Sequence, residues 1–386
     1  MKHDWEYKKL GEVCDFQGGS QPPKGEWISE PRQGYIRMLQ IRDFTQSRSF
    51  EEEYVKITNA TKCCEETDIM LGRYGASVGK VLTGLSGAYN VALMKTIPSK
   101  SIQKTYLKYF LLSTHFQSFV LRVSKNRAAQ SGFTKDDIYS ILIPVPSIEE
   151  QKAICSLLDK LSRVIEAKKE QLKELDNLAQ AIFYDMFGDP ITNDKGWGVK
   201  RFDQVGELQR GGGFLKSDFV VNGVPCIHYG QIHMKFGRFI KRHLTEIPES
   251  VAAKSKTAKK GDVILAITSE DVEGSCKCTA WMGDYDVYVG AHTAIFKHNL
   301  DPIYVSYYIM SSGFQRDKER YVHGIKVMEI KPSDIGTINI LVPPLPLQQA
   351  FAEKVEAIER QKELINQSIR EVQTLFDSRM DYWFSD

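Results

Sequence analysis

Two stretches of this 386-residue chain carry a heptad pattern too long for a helix that only covers a globular face. In the first, from 148 to 187, Ile154, Leu158, Leu161, Ile165, Lys168, Leu172, Leu175, Ala179, Ile182 and Met186 alternate at spacings of four and three, with only Lys168 off type. The second closes the chain with Phe351, Val355, Ile358, Lys362, Ile365, Ile369, Val372, Phe376, Arg379 and Trp383 in the same alternation. A seam of this period asks for a partner helix along its whole length. About 38 residues at ~1.5 Å each make a rod of roughly 57 Å. Prolines precede both stretches (Pro144 and Pro146; Pro343, Pro344 and Pro346) and block extension backwards, while Gly188-Asp189-Pro190 stops the first. The two are expected to pair within the chain as an antiparallel coiled coil.

Sliding the chain along itself shows why there are two rods. Trp5 to Leu10 with Val13, Phe16, Gln17 and Gly19 matches Trp197 to Phe202 with Val205, Leu208, Gln209 and Gly211. Asp68 to Leu71 matches Asp262 to Leu265, Val91 to Lys95 matches Thr293 to Lys297, and Tyr106 to Leu111 with Gln117 matches Tyr304 to Ile309 with Gln315. Ile141 to Pro144 matches Ile340 to Pro343, and the order never changes. The chain is therefore two copies of one unit, a globular module followed by a long helix. The expected divisions are 1–147, first module; 148–188, central helix; 189–345, second module; and 346–386, C-terminal helix. Within each module, short β-branched runs (69 to 71, 263 to 267, 340 to 342) read as strands, and 106 to 123 and 304 to 321 read as helices. The fold class is α+β, two β-rich domains in pseudo-twofold repeat separated by two long helices.

Composition excludes several classes. No run of 18 apolar residues exists, and Met1-Lys2-His3-Asp4-Trp5 lacks the apolar core of a signal peptide, so a cytoplasmic protein without membrane contact is expected. Seven cysteines without a Cys-x-x-Cys read as reduced structural thiols. Cys226, His228 and His233 could begin a metal site, but no fourth ligand is visible. Net charge is only +2, yet it is unevenly spread. Residues 1–147 carry 20 Lys and Arg against 15 Asp and Glu, and 189–345 carry 20 against 18, whereas both helical segments are acidic. Basic modules on acidic rods point to polyanion contact by the modules and protein contact by the rods. The cluster Lys235, Arg238, Lys241, Arg242, Lys254, Lys256, Lys259 and Lys260 sharpens this, as do Arg122, Lys125 and Arg127 in the first module.

Catalytic motifs are incomplete. Gly75-Ala-Ser-Val-Gly79-Lys80 brings its first glycine one position too close for a phosphate loop, and Val81 replaces the magnesium-holding hydroxyl. Pro343-Pro344 follows Val342, which cannot accept a hydrogen bond from a base amino group. Phe16-Gln-Gly-Gly lacks spaced glycines, and Glu329-Ile-Lys331 has no Pro-Asp upstream. A self-contained DNA-modifying or DNA-cutting enzyme is thus disfavoured, and the segmental charge disfavours a coiled-coil adaptor without DNA affinity.

The repeated plan, the run Asp68 to Lys80 leading to Asn90-Val-Ala-Leu-Met94, and Ile227 to His233 leading to Thr268-Ser-Glu-Asp271 resemble the DNA specificity subunits of type I restriction-modification systems. The resemblance covers the whole chain. It implies that each module is a target-recognition domain reading one half of a bipartite sequence in double-stranded DNA, while the helices hold the modules apart and dock two modification (methyltransferase) subunits, which restriction subunits then join. It implies no catalysis and no cofactor on this chain; adenosylmethionine would belong to the methyltransferase and ATP to the restriction subunit. Because the modules diverge after Gly19 and Gly211 and between 225 and 271, the target should be asymmetric. Side chains of the types that reach phosphates and base edges nominate Gln17, Arg37, Gln40, Arg73, Tyr74, Ser77, Lys80 and Gln130 in the first module. In the second they nominate Arg210, His228, Tyr229, Gln231, Lys235, Ser269 and Lys326.

Overall fold

The computed structural model describes residues 4–46, 51–126 and 132–385. Two forty-residue helices, Ile148–Phe187 and Leu345–Phe384, run through it. The chain divides into two compact units, Met1–Lys169 with Gln367–Asp386 and Glu170–Asn366. Each unit therefore combines one globular module with one end of both helices.

In the first unit a four-stranded sheet runs in the order Cys14–Gly18, Leu93–Pro98, Met70–Gly72, Val81–Leu82. A second runs Tyr54–Lys56, Tyr35–Leu39, Gly87–Tyr89, Cys63–Cys64. Glu6–Lys9 pairs with Leu142–Val145, tying the start of the module to its end. Where one helix was expected from 106 to 123 there are two, Lys104–Leu112 and Thr114–Lys125. Ser113 breaks them: it is extended at φ −66° and ψ 152°, and its hydroxyl caps the second helix at the amide of Phe116.

The second unit repeats the plan. Its larger sheet runs Gly206–Arg210, Thr293–His298, Val263–Ala266, Cys278–Trp281, Phe239–Ile240, and its smaller one Thr245–Ile247, Val224–Ile227, Val287–Val289, Lys256–Ala258. Gly198–Arg201 closes on Asn339–Val342 as its counterpart does. Ser311 breaks the helix expected from 304 to 321 into Pro302–Ile309 and Ser312–Lys318, followed by a 3-10 turn at Glu319–Tyr321.

The ladders correct the repeat alignment at two places, each by two residues. Leu10 and Phe202 donate to the carbonyls of Ile141 and Ile338, so Ile338, and not Ile340, is the counterpart of Ile141. Gly19 donates to the carbonyl of Leu93 and Gly211 to that of Thr293, so Leu93, and not Val91, is the counterpart of Thr293. A slip of two residues leaves every side chain on its own face, so an apolar pattern of period two cannot detect it.

The helices pair as expected, and the packing inside each unit shows the antiparallel sense. In the first unit Ile154, Cys155 and Leu158 share a core with Met380 and Phe384, whose ring lies 5.1 Å from that of Tyr106. In the second, Ala179, Phe183 and Phe187 share one with Phe351, Val355 and Ile358, and the rings of Phe187 and Phe351 are 5.3 Å apart. Every expected seam position of the central helix is buried or half-buried, Lys168 included. On the C-terminal helix Lys362 tolerates the seam because its ammonium, 2.7 Å from both Asp176 and Glu359, is compensated there. Burial would lower its pKa, but the two carboxylates outweigh that and raise it. Arg379 departs from expectation: it is exposed, and Met380 takes the buried place. Near the ends the spacing becomes four and four (Phe376, Met380, Phe384; Ala179, Phe183, Phe187), because there the helices pack on globular bodies as ordinary α-helices and not as a supercoil seam.

The start of each long helix is fixed by the same device. Gln151 is fully buried, accepts from the amide of Gln103 at 2.8 Å and donates to the carbonyls of Ser101 and Pro146 at 3.0 Å. Gln348 accepts from the amide of Asp301 at 2.9 Å and donates to the carbonyl of Pro343 at 2.7 Å. Tyr106 and Tyr304, both fully buried, donate to the carbonyls of Pro144 and Leu341. Each amide and hydroxyl satisfies backbone groups that would otherwise be buried without partners.

Candidate nucleic-acid interface

In each unit the loops that differ most spring from the same strand ends. After Met70–Gly72 the first module makes a tight hairpin into Val81–Leu82, with Gly79 donating to Gly72 and Gly72 to Lys80. The glycines are required: Gly75 and Gly79 have φ of +58° and +79°, and a Cβ on Gly72 would sit 2.2 Å from the carbonyl oxygen of Ser77. A strand–turn–strand hairpin is also not the strand-to-helix setting of a phosphate loop, in keeping with the defective spacing.

Around this hairpin Arg73 is half-buried, bonds the carbonyls of Phe133 and Val91 at 3.3 and 3.4 Å, and lies 5.0 Å from the ring centre of Tyr74. Ser77 is half-buried and Lys80 exposed. Gln17 lies in Cys14–Gly18, separated from the hairpin by the strand Leu93–Pro98, and accepts from the Tyr89 hydroxyl at 3.0 Å. Arg37 and Gln40 belong to a separate charged network. Arg37 bridges Asp43 at 3.1 Å and Glu52 at 2.9 Å, while Gln40 donates to Glu53 at 3.0 Å. Glu53 also takes a hydrogen bond from Lys24, which with Arg42 holds its carboxyl below the usual range. In this state the guanidinium of Arg37 is occupied within the protein. Gln130 and Arg127 lie outside the described residues.

The second module builds a cleft of about 920 Å³ from the helix Tyr229–Met234, the loop after Val263–Ala266, the residues before Thr293–His298, and Val327. Of the nominated residues, Tyr229 and Ser269 line it. The Tyr229 ring stands 4.4 Å from His228 and 5.3 Å from His292. His228 caps the helix, its Nδ1 accepting from the amide of Gly230; burial, then His292 and Lys216, hold the imidazole below the ordinary histidine value. Gln231 is nearly buried and completes the cap: it accepts from the amide of His228 at 2.9 Å and donates to Thr245 at 3.0 Å. These two therefore act within the fold in holding Tyr229 at the cleft. Arg210 pairs with Glu329 at 2.6 Å, and Lys235 and Lys326 are exposed. Ile325, next to Lys326, is 96% exposed, and Met234 81%.

Cys226 does not join His228 and His233 in a ligand set. Its thiol faces Thr245 at 3.3 Å, burial pushes it up to about 11, and His233 Nε2 lies 3.0 Å from the carbonyl of Thr268. Among the described residues no three His, Cys, Asp or Glu side chains come together as a metal site.

Several residues lining the cleft are not among those the sequence nominates, His292, Glu270 and Asp271 included. His292 has φ +63° and a buried Nδ1 without a partner; no motif marks it. Glu270 and Asp271 lie within the Thr268 to Asp271 run and line the cleft, yet neither is a nominated residue.

The chain matches a family model described as the type I restriction modification DNA specificity domain over residues 2–177. The type I restriction enzyme MjaVIII specificity subunit of Methanocaldococcus jannaschii is 24% identical, covering 97% of this chain and 92% of its own. A solved chain described under complex assembly and conformational transition of the type I R-M system has a TM-score of 0.58 at 18% identity, over 98% of this chain and 97% of that one. The type I restriction-modification S subunit from M. genitalium has a TM-score of 0.50 at 11% identity, over 99% and 96%. At such identities the structural likenesses speak for the fold alone.

Proposed function

Because the chain belongs to the DNA specificity subunits of type I restriction-modification systems, we propose that its two modules, 1–147 and 189–345, are target-recognition domains that each read one half of an asymmetric bipartite DNA sequence. It is a non-catalytic subunit that associates with modification and restriction subunits and with DNA. No helix among the described residues is long and apolar enough to cross a membrane, and a cytoplasmic setting fits its substrate. The observation that carries the reading is the pairing of one repeated scaffold with two unlike sets of loops. Gln151 and Gln348, and Tyr106 and Tyr304, do the same work in both copies, whereas the loops after Gly72 and Ala266 share no chemistry.

The sense of the reading follows from hydrogen-bond inventory. In the first module Arg73, Tyr74, Ser77 and Lys80 offer donors suited to phosphates and to guanine O6 and N7, with Gln17 beside them and Gln130 completing the set. In the second, Tyr229 and Ser269 face the groove, Lys235, Lys326 and Arg210 meet phosphates, and His228 and Gln231 hold Tyr229 in place. Arg37 and Gln40 reach DNA by exchanging a carboxylate partner for a phosphate. The acidic outer faces of the two long helices dock the modification subunits, two per chain, one at each end of the repeat.

The test is methyl transfer from labelled adenosylmethionine. The purified chain alone gives none and cleaves nothing; with modification subunits it directs methylation to one bipartite site. Methyl transfer above background by this chain alone would overturn the reading.

A further inference from the structure

The loop Ser269–Gly274 of the second module is acidic where its counterpart in the first is basic. It carries Glu270, Asp271 and Glu273, in the place where the first module carries Gly75 to Lys80. Carboxylates near a DNA backbone are repelled by phosphates, so a loop that only covered the cleft would be better served by neutral residues. A solvated turn would also need no scaffold, and this loop has three. Asp271 Oδ1 accepts from the amide of Gly274 at 2.6 Å and from the Ser269 hydroxyl at 3.4 Å. A Cβ on Gly274 would lie 2.2 Å from that hydroxyl oxygen, so any larger residue there would have to displace the Ser269 side chain. Behind it Lys318, 1% exposed, donates to the carbonyls of Glu273 and Ser275. Withdrawing an ammonium from water is costly, and burial holds this one below the ordinary lysine value. Its hydrogen bonds fix the loop.

Of the acids lining the cleft, Glu273 is tied back through its carbonyl to Lys318, and Glu270 stands free on the loop. It is exposed, lines the cleft, and has no hydrogen bond or ion pair within the described residues, while Asp271 is engaged in the turn. An ionised carboxylate only accepts. In the major groove the base-edge donors are cytosine N4 and adenine N6, whereas guanine O6 and N7 and thymine O4 accept and would face it unpaired. Met234 and Val327 are the apolar side chains that line the same cleft.

We propose that Glu270 is a specificity-determining residue of the second module, accepting a hydrogen bond in the major groove from the exocyclic amino group of an adenine or a cytosine of its half-site. The inference rests on the reading of this module as a DNA-recognition domain. His292, at the floor of the same cleft with Nδ1 unpartnered, stands in the place of Ala92 of the first module, since their carbonyls accept from Ile267 and Arg73.

The experiment uses the full chain assembled with its modification subunits and a duplex pool randomised across the target. Bound DNA is sequenced for the native complex, for Glu270→Ala, and for Glu270→Ala with Asp271→Asn, which keeps an acceptor for the turn. The native complex enriches adenine or cytosine at one position that Glu270→Ala no longer discriminates, a loss of roughly 5- to 150-fold, with the other half-site unchanged. If the base is adenine, replacing it by purine weakens native binding by a similar factor and leaves the variant indifferent; if cytosine, 2-pyrimidinone does the same. Native preferences retained at every position in the double variant, or lost equally in both half-sites, overturn the role of Glu270 while sparing the DNA reading. Failure of the native complex to enrich any sequence overturns that reading and this inference together.

Discussion

Arg73 of the first module and Ile267 of the second hold the same ladder position. Their amides donate to Ala92 and His292, and their carbonyls accept from Phe133 and Ile330. Yet Ile267 is fully buried in the core, whereas Arg73 is half-buried with its guanidinium on two carbonyls at the rim of the hairpin. One backbone site thus carries a core side chain in one copy and a charged side chain at the rim of a loop in the other. The scaffold is shared down to single hydrogen bonds, and the copies part in the loops and in the fifth strand, Phe239–Ile240, that the larger sheet of the second module adds.

That contrast is open to direct attack. The largest effect is expected at Ile267→Ala, which should cost about 2 to 5 kcal/mol of stability and leave base preference intact in whatever folds; denaturant melts with bound-DNA sequencing would show both, and a changed preference would blur the distinction. Next comes an acid sensitivity particular to the second module. His298 is held by burial at about 4, its Nε2 buried without a partner. Unfolded, it titrates near about 6.5, so between those values the unfolded chain takes up the proton that the folded one refuses. Stability is then full above about pH 6.5 and falls by up to about 3 kcal/mol as pH drops to about 4. Thermal melts from pH 7.5 to 4.5 should show His298→Leu losing less stability than the native chain over that interval; parallel curves would count against it.

Arg73→Ala should lower specific DNA affinity by about 1 to 3 kcal/mol and relax the first half-site alone, as read by competition binding with half-site mutants. Loss confined to the second half-site would place the readers in the wrong module. Smallest and most even are Gln151→Ala and Gln348→Ala, each leaving buried backbone groups unpaired at about 1 to 3 kcal/mol. Unfolding of the two variants should agree within roughly 0.5 kcal/mol. A wide gap would mean that the repeat is less symmetrical in energy than in geometry.

Much of this architecture could be read from residue pattern alone, and where it could not, the reason is physical. The heptads placed both rods because a 3.5-residue period sustained over many turns has few other solutions. The same rule misplaced Arg379, since it assumes a supercoil that the helix leaves once it reaches a globular body. Ser113 and Ser311 looked like ordinary helical residues until their extended backbones showed them to be breaks. The two-residue slip at Leu93 and Thr293 was invisible because strand periodicity repeats every two residues. Among the nominated site residues, Tyr229 and Ser269 proved to share a cleft, whereas Arg37 and Gln40 proved tied to carboxylates that only folding brings near. Glu270 shows the opposite failure. No motif marked it, and only the fold shows that it lines the cleft on a loop whose backbone Lys318 fixes at Glu273 and Ser275.

The central claim, two recognition domains on one repeated scaffold, is tested most directly by exchange. Residues 189–345 are replaced with the equivalent module of another specificity subunit, the chimera is assembled with modification subunits, and bound DNA is selected from a pool. One half-site should change to that of the donor while the other stays as it was. A folded chimera in which both half-sites change, or neither does, would contradict the account.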